Sequence, residues 1–265
     1  MLWTWVAALV FMTVVMVAAW FVQRTKKNAG WADVFWDYGM GIAGAGCALV
    51  PEPGHSISTR QILLAALIAL WSLRVGTHIL RRVSKGVEDG RYVETRRLSS
   101  GAFQPLMYFF FQVQAWVGSF FAMAIYVAAH HPAPGLRAQD FVGAALVIAG
   151  IVGETLADEE LRRFKEKPGH ATLVYDQGLW AWTRHPNYVF EMLVWLSLPV
   201  IAIDLTGTYP NGWFVLGAPA FMFLVLTRIT GIPPLERSLI ESKGDAYRAY
   251  QARVSAFLPR PPRKT

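Results

Sequence analysis

Seven stretches of this chain, 2–22, 32–50, 62–80, 105–129, 141–157, 188–203 and 213–227, are so rich in apolar residues that water is a poor solvent for them. A helix needs about 20 such residues to cross the hydrocarbon core of a bilayer. A backbone in lipid must also satisfy its own hydrogen bonds, which restricts crossing segments to helices and closed barrels. The expected architecture is therefore all-α: a polytopic membrane protein of about seven transmembrane helices. The two shortest runs need tilt or helical extension to reach across.

Composition agrees, with 54% hydrophobic and only 16% charged residues, against about 45–50% and 25% in soluble domains. Of the 11 tryptophans, Trp3, Trp5, Trp20, Trp31, Trp36, Trp71, Trp195 and Trp213 lie near the ends of apolar runs, as interfacial rings do. A lone cysteine, Cys47, allows no intramolecular disulfide. The N-terminal run has no basic region before it and no clean cleavage site after it, so it is expected to remain as a membrane helix.

The net charge of +7 sits mainly in short loops beside apolar runs, a pattern of topology signals and anionic-lipid contact rather than nucleic-acid binding. Loops after the odd runs carry Arg24, Lys26 and Lys27; Arg81, Arg82, Lys85, Arg91, Arg96 and Arg97; and Arg162, Arg163, Lys165, Lys167 and Arg184. Those after the second and fourth runs hold only Arg60 and Arg137. Basic loops stay cytoplasmic, so the N-terminus is expected outside and the tail from Arg228 in the cytoplasm, as one amphipathic helix with Leu235, Leu239, Tyr247 and Tyr250 on its apolar side. No internal repeat is visible, and 1–265 reads as a single domain.

Ionisable residues inside a crossing segment are costly and point to function. Asp33 and Asp37 share a helix face, as do Arg74 and His78, and Glu154 and Asp158, with Arg162 and Lys165 extending the last stripe. Asn187 and Glu191 open the sixth run and Arg228 closes the seventh. Starts of even runs and ends of odd runs all belong to the cytoplasmic side, so a polar pocket entered from the cytosol is expected. Each pair also has a plainer reading, since charges near helix ends can snorkel to the interface. Gly41, Gly44 and Gly46 fit close helix packing better than a nucleotide loop, because no strand precedes them. His130 and His131 have no partners at metal-ligand spacing, and no metal is expected.

Arg184-His185-Pro186-Asn187-Tyr188, followed by Glu191 and Trp195, resembles the signature of the steroid 5-alpha-reductase (3-oxo-5-alpha-steroid 4-dehydrogenase) family, including its bacterial DUF1295-type members. Lys85-Gly86-x-Glu88-Asp89-x-Arg91-Tyr92, Ala157-Asp158-Glu159-Glu160-Leu161 and Thr230-Gly231-Ile232-Pro233-Pro234-Leu235-Glu236, ahead of Tyr247 and Tyr250, are similar to the bacterial branch. The likeness runs from about residue 30 to the end, with about 105–265 as the C-terminal reductase part.

The resemblance implies NADPH-dependent reduction of the carbon–carbon double bond of a lipophilic enone, such as the delta-4 bond of a 3-oxo-steroid. The substrate would enter from the bilayer, and the cofactor would face the cytoplasm. It implies cofactor contacts from Asn187, Tyr188 and Glu191, from Asp158 with the basic residues Arg162, Arg163 and Lys165, and from Glu154, Arg184, His185, Arg228 and Glu236. Animal members place a Glu on the second span and a Tyr on the third. Asp37 takes the Glu position, but Arg74 and His78 occupy the region of the Tyr. Asp37, His78 and Arg74 are thus the catalytic candidates, because negative charge developing on the enone oxygen calls for an acid beside it. A monomer in a bacterial inner membrane is expected, in contact with membrane lipids.

Two other functions remain open. The isoprenylcysteine carboxyl methyltransferases share Arg-His-Pro-x-Tyr and would imply S-adenosylmethionine, although Val189-Phe190 stands where they place Gly. A transporter or lipid-binding protein could also line a conduit with charged residues, but the paired broken segments of many transporters are not seen.

Overall fold

A computed structural model describes residues 1–263. The regular elements among them are helical: α1 (Leu2–Lys26), α2 (Trp31–Ala48), α3 (Thr59–Ser84), α4 (Gly90–Ser99), α5 (Phe103–Ala129), α6 (Ala138–Lys165), α7 (Pro186–Ala202), α8 (Gly217–Leu224), α9 (Ile232–Lys243) and α10 (Asp245–Arg253). Five segments are long and apolar enough to cross a membrane: α1, α3, α5, α6 and the helical run Pro210–Lys243. The second and sixth expected spans form helices, but of only 18 and 17 residues. Asp33, Asp37 and four glycines dilute the apolar character of α2. The chain has the apolar helices of an integral membrane protein.

Contacts divide the chain into two compact units, Met1–Ala144 with Ser197–Ala218, and Ala145–Leu196 with Pro219–Thr265. In the first, α2 packs on α3, α5 and α1, and α1 on α5. Small residues allow the close approach. A Cβ on Gly41 would strike the Ser72 side chain, one on Gly44 would come within 2.7 Å of Ile125, and one on Gly76 within 2.9 Å of the Tyr38 ring. Gly46, grouped with them in the sequence, faces open space.

α3 starts on a capping box, Ser58 Oγ accepting from the Gln61 amide while Gln61 Oε1 accepts from Ser58. Beside it lies a pairing the sequence did not announce. Arg60 (2% exposed) meets Asp140 (0% exposed) through two bonds of 2.9 Å, and its remaining N–H groups donate to the carbonyls of His131, Ala133 and Gly135. The guanidinium thus fastens the start of α3 to the α5–α6 connection. In the second unit, a Cβ on Gly150 would approach the Phe190 carbonyl to 2.8 Å and one on Gly153 would enter the Phe190 ring, so α7 lies tightly against α6.

The tail is not one helix, as its apolar spacing suggested. Gly244 (φ 56°) stops α9 and starts α10, a left-handed position that favours glycine. The break lets Tyr247, Tyr250 and Val254 form a small buried cluster against Leu239, Ile240 and Val174.

Removing one partner of a buried ion pair strands the other and costs about 3–5 kcal/mol. Asp140→Ala is therefore expected to lower the thermal unfolding temperature of the detergent-purified protein sharply. Arg60→Met with Asp140→Leu should recover only part of the loss, because three carbonyls lose their donor as well; full loss in the double variant would contradict this account.

Candidate functional site

In the first unit, α2 and α3 run antiparallel, and their register follows from two contacts. Ser72 Oγ donates to the Asp37 carbonyl (2.8 Å), and the Tyr38 hydroxyl pairs with Thr77 Oγ1 (3.0 Å). Asp37, which is buried, therefore lies alongside the 72–77 stretch of α3 that contains Arg74 and adjoins His78. Arg74 is half-buried and His78 exposed.

Asp33, one turn earlier, belongs to a second polar group. Its carboxylate accepts from the Tyr92 hydroxyl (2.8 Å) and from Arg91 Nη2 (3.1 Å). Arg91 also binds Asp89, while Glu88 accepts from the Ala29 amide and from Arg96 at 2.7 Å each. The Lys85–Tyr92 motif thus fastens the start of α2. Burial raises the Asp89 pKa, but Arg91 and then Arg82 outweigh it and hold the carboxyl below its usual range. Burial, then the Asp33 carboxylate, push the Tyr92 hydroxyl well above its ordinary value, so it acts as a hydrogen-bond donor. In the sequence, Tyr92 is marked only by its place in the Lys85–Tyr92 motif, which gives it no role of its own.

In the second unit, α6 and α7 are antiparallel too. The Gly150–Val194 and Gly153–Phe190 contacts bring the level of Glu154 to that of Phe190 and Glu191. One turn further, Asn187 Nδ2 reaches Asp158 Oδ1 at a long 3.5 Å. Glu191 accepts from Trp195 Nε1 (2.8 Å), the neighbour four residues on. Pro186 opens α7 at a helix start, where its missing N–H costs nothing. Arg162 and Arg163 are exposed at the end of α6, as is Lys165, and Arg228 is exposed in a π-helical turn, Val225–Ile229.

Arg184, His185 and Glu236 come together around the Glu236 carboxylate. Arg184 donates to it through Nε (2.7 Å) and Nη2 (3.2 Å), His185 through Nε2 (3.0 Å), Gln251 through Nε2 (2.8 Å) and Tyr247 through its hydroxyl (3.3 Å). Arg184 Nη1 spans to the carbonyls of Gln251 and Val254. With an ionised carboxylate as acceptor, Nε2 is the protonated nitrogen of His185. The His185 ring in turn stacks on Tyr188, with centroids 5.3 Å apart and planes 12° from parallel. The C-terminal segment adds Arg184 N to Ser255 O (2.8 Å) and the Tyr250 hydroxyl to Trp180 O (2.6 Å).

These features define a helical protein with several helices long and apolar enough to cross a membrane and with charged residues near their ends. The chain belongs to the DUF1295 family, described as a protein of unknown function, which matches residues 19–254. An uncharacterized protein of Schizosaccharomyces pombe is 26% identical over 268 residues, covering 91% of this chain and 75% of the relative. No solved structure matches.

Burial lowers the His185 pKa from 6.5, against the pull of Glu236. A depressed folded-state value means that, as pH falls below about 6.5, the unfolded chain takes up the proton first and stability declines. The unfolding temperature is expected to fall between pH 7.5 and 5.5, and His185→Gln should flatten that slope. An unchanged slope would place the titration elsewhere.

Proposed function

We propose that this protein reduces the carbon–carbon double bond of a lipophilic enone with NADPH. The observation that carries this is the α6–α7 pairing, which sets Asp158 against Asn187 one turn from the level shared by Glu154 and Glu191. An amide that donates and accepts, flanked by carboxylates that accept from ribose hydroxyls or a carboxamide, suits a nicotinamide nucleotide. Arg162, Arg163 and Lys165 supply cations for its phosphates.

Glu236 and Arg184 spend most of their hydrogen bonds on one another and on the C-terminal segment, so the part proposed for them is to support the turn that carries Asn187 and Tyr188. Arg228 remains a further cation for the nucleotide. NADPH supplies the hydride. Asp37, with Arg74 and His78 on the neighbouring helix, is the group assigned to the enone carbonyl, where negative charge builds as hydride reaches the beta carbon. Asp33 is excluded from this role because Arg91 and Tyr92 already engage both of its oxygens.

The same reading keeps α2 and α7 as crossing helices. At 1.5 Å per residue they are about 27 and 26 Å long, close to the hydrocarbon thickness. With seven crossings, the basic loops put the N-terminus outside, the C-terminal helices in the cytoplasm, and the lipophilic substrate in the bilayer. A bacterial inner membrane fits this arrangement.

The test is nucleotide binding by the detergent-purified chain. NADPH should bind more tightly than NADH, S-adenosylmethionine should not bind, and Glu191→Ala should weaken NADPH about tenfold or more, the scale of a lost charge-assisted hydrogen bond. Binding of S-adenosylmethionine alone would make the protein a methyltransferase. Asp37→Asn should retain NADPH affinity and slow enone reduction by about 10²-fold or more; full turnover in that variant would remove Asp37 from the mechanism.

A further inference from the structure

Near the end of α6, three consecutive carboxylates have three different partners. Asp158 faces Asn187, and Glu160 accepts from the Leu179 amide (3.0 Å). Glu159, between them, takes the basic stripe. Its two oxygens accept from Arg162 Nε and Nη2 at 2.7 Å each, and Oε1 also accepts from Arg163 Nε at 2.7 Å. Arg162 Nη1 donates to Glu166 at 2.5 Å. Every nitrogen of Arg162 is therefore engaged by a carboxylate, although the side chain is 55% exposed.

We propose that Glu159 sets the preference between phosphorylated and unphosphorylated nicotinamide nucleotides, by occupying the guanidinium groups that a ribose 2′-phosphate must take over. The inference rests on the reductase reading given above and names a determinant within it. The chemistry is an exchange of acceptors. A phosphate with close to two negative charges can displace a carboxylate from a solvent-exposed arginine, where the resident pair is weak. A neutral ribose hydroxyl cannot. Glu159 thus opposes NADPH, which has to displace it and then share space with a like charge, and leaves NADH almost untouched. Its placement three and four residues before the two arginines, on one helix face, keeps the clamp formed without help from the rest of the fold.

Equilibrium binding of NADPH and NADH to the full chain in detergent tests this, using wild type, Glu159→Gln and the charge control Glu241→Gln. Glu159 is a surface residue, so the variant is expected to fold. Glu159→Gln should tighten NADPH about three- to tenfold, the scale of two released surface pairs, with NADH changed less than twofold and both nucleotides changed less than twofold in the control. Equal tightening of both nucleotides, or no change in NADPH, overturns the proposal while leaving the reductase reading standing. Failure of the wild type to bind either nucleotide overturns both.

Discussion

An ionised group removed from water costs several kcal/mol unless a partner and further hydrogen bonds compensate it, and in an apolar helical chain that cost governs where the polar residues can be. Several of them form well-bonded knots here. Asp140 and Arg60 close on each other and on three carbonyls. Asp33 is shared by Arg91 and Tyr92, and Glu236 collects donors from four residues. Between helices in lipid there is little hydrophobic drive to associate, so packing of small residues and polar links decide register. Each knot joins segments more than 50 residues apart in sequence and thereby does what a purely apolar surface cannot.

This explains which parts could be read from the sequence. The positions of the apolar helices were legible because hydropathy is a local property, and so was the nearness of Glu191 to Trp195, a neighbour on the same helix face. Arg60 was legible only as a sparse basic residue in a loop, because its partner is 80 residues away and nothing near either residue marks the pairing. The tail shows the opposite failure. Leu239, Tyr247 and Tyr250 do share an apolar surface, but through a bend at Gly244 rather than along one helix. A helical spacing and a broken pair of helices that fold on one cluster leave the same pattern of apolar positions.

Motif resemblance had a similar limit. A match of Arg184 to Tyr188 identifies a turn that matters but does not separate residues facing a ligand from residues that hold those in place. The hydrogen bonds make that separation. Arg184 spends its donors on Glu236 and two carbonyls, while the side chain of Asn187 makes a long contact to Asp158 and accepts from the amide of the next residue, Tyr188. The group with spare hydrogen-bonding capacity is the one to which the proposed function assigns the nucleotide.

The order of support behind that turn follows from the same bonds. Glu236 fixes His185 through Nε2, and the flat face of the imidazole backs the Tyr188 ring. Tyr247 and Gln251, both on α10, also donate to Glu236, one to each oxygen. The hydride transfer proposed for this protein would tolerate little positional error, since reacting atoms must be held close to their contact distance and aligned. A carboxylate surrounded by donors gives a stiff backing, because each donor that moved away would weaken the compensation of a largely buried charge. The bend at Gly244 is what allows α10 to return and supply two of those donors, so the break in the tail helix is part of how the Asn187–Tyr188 turn is held.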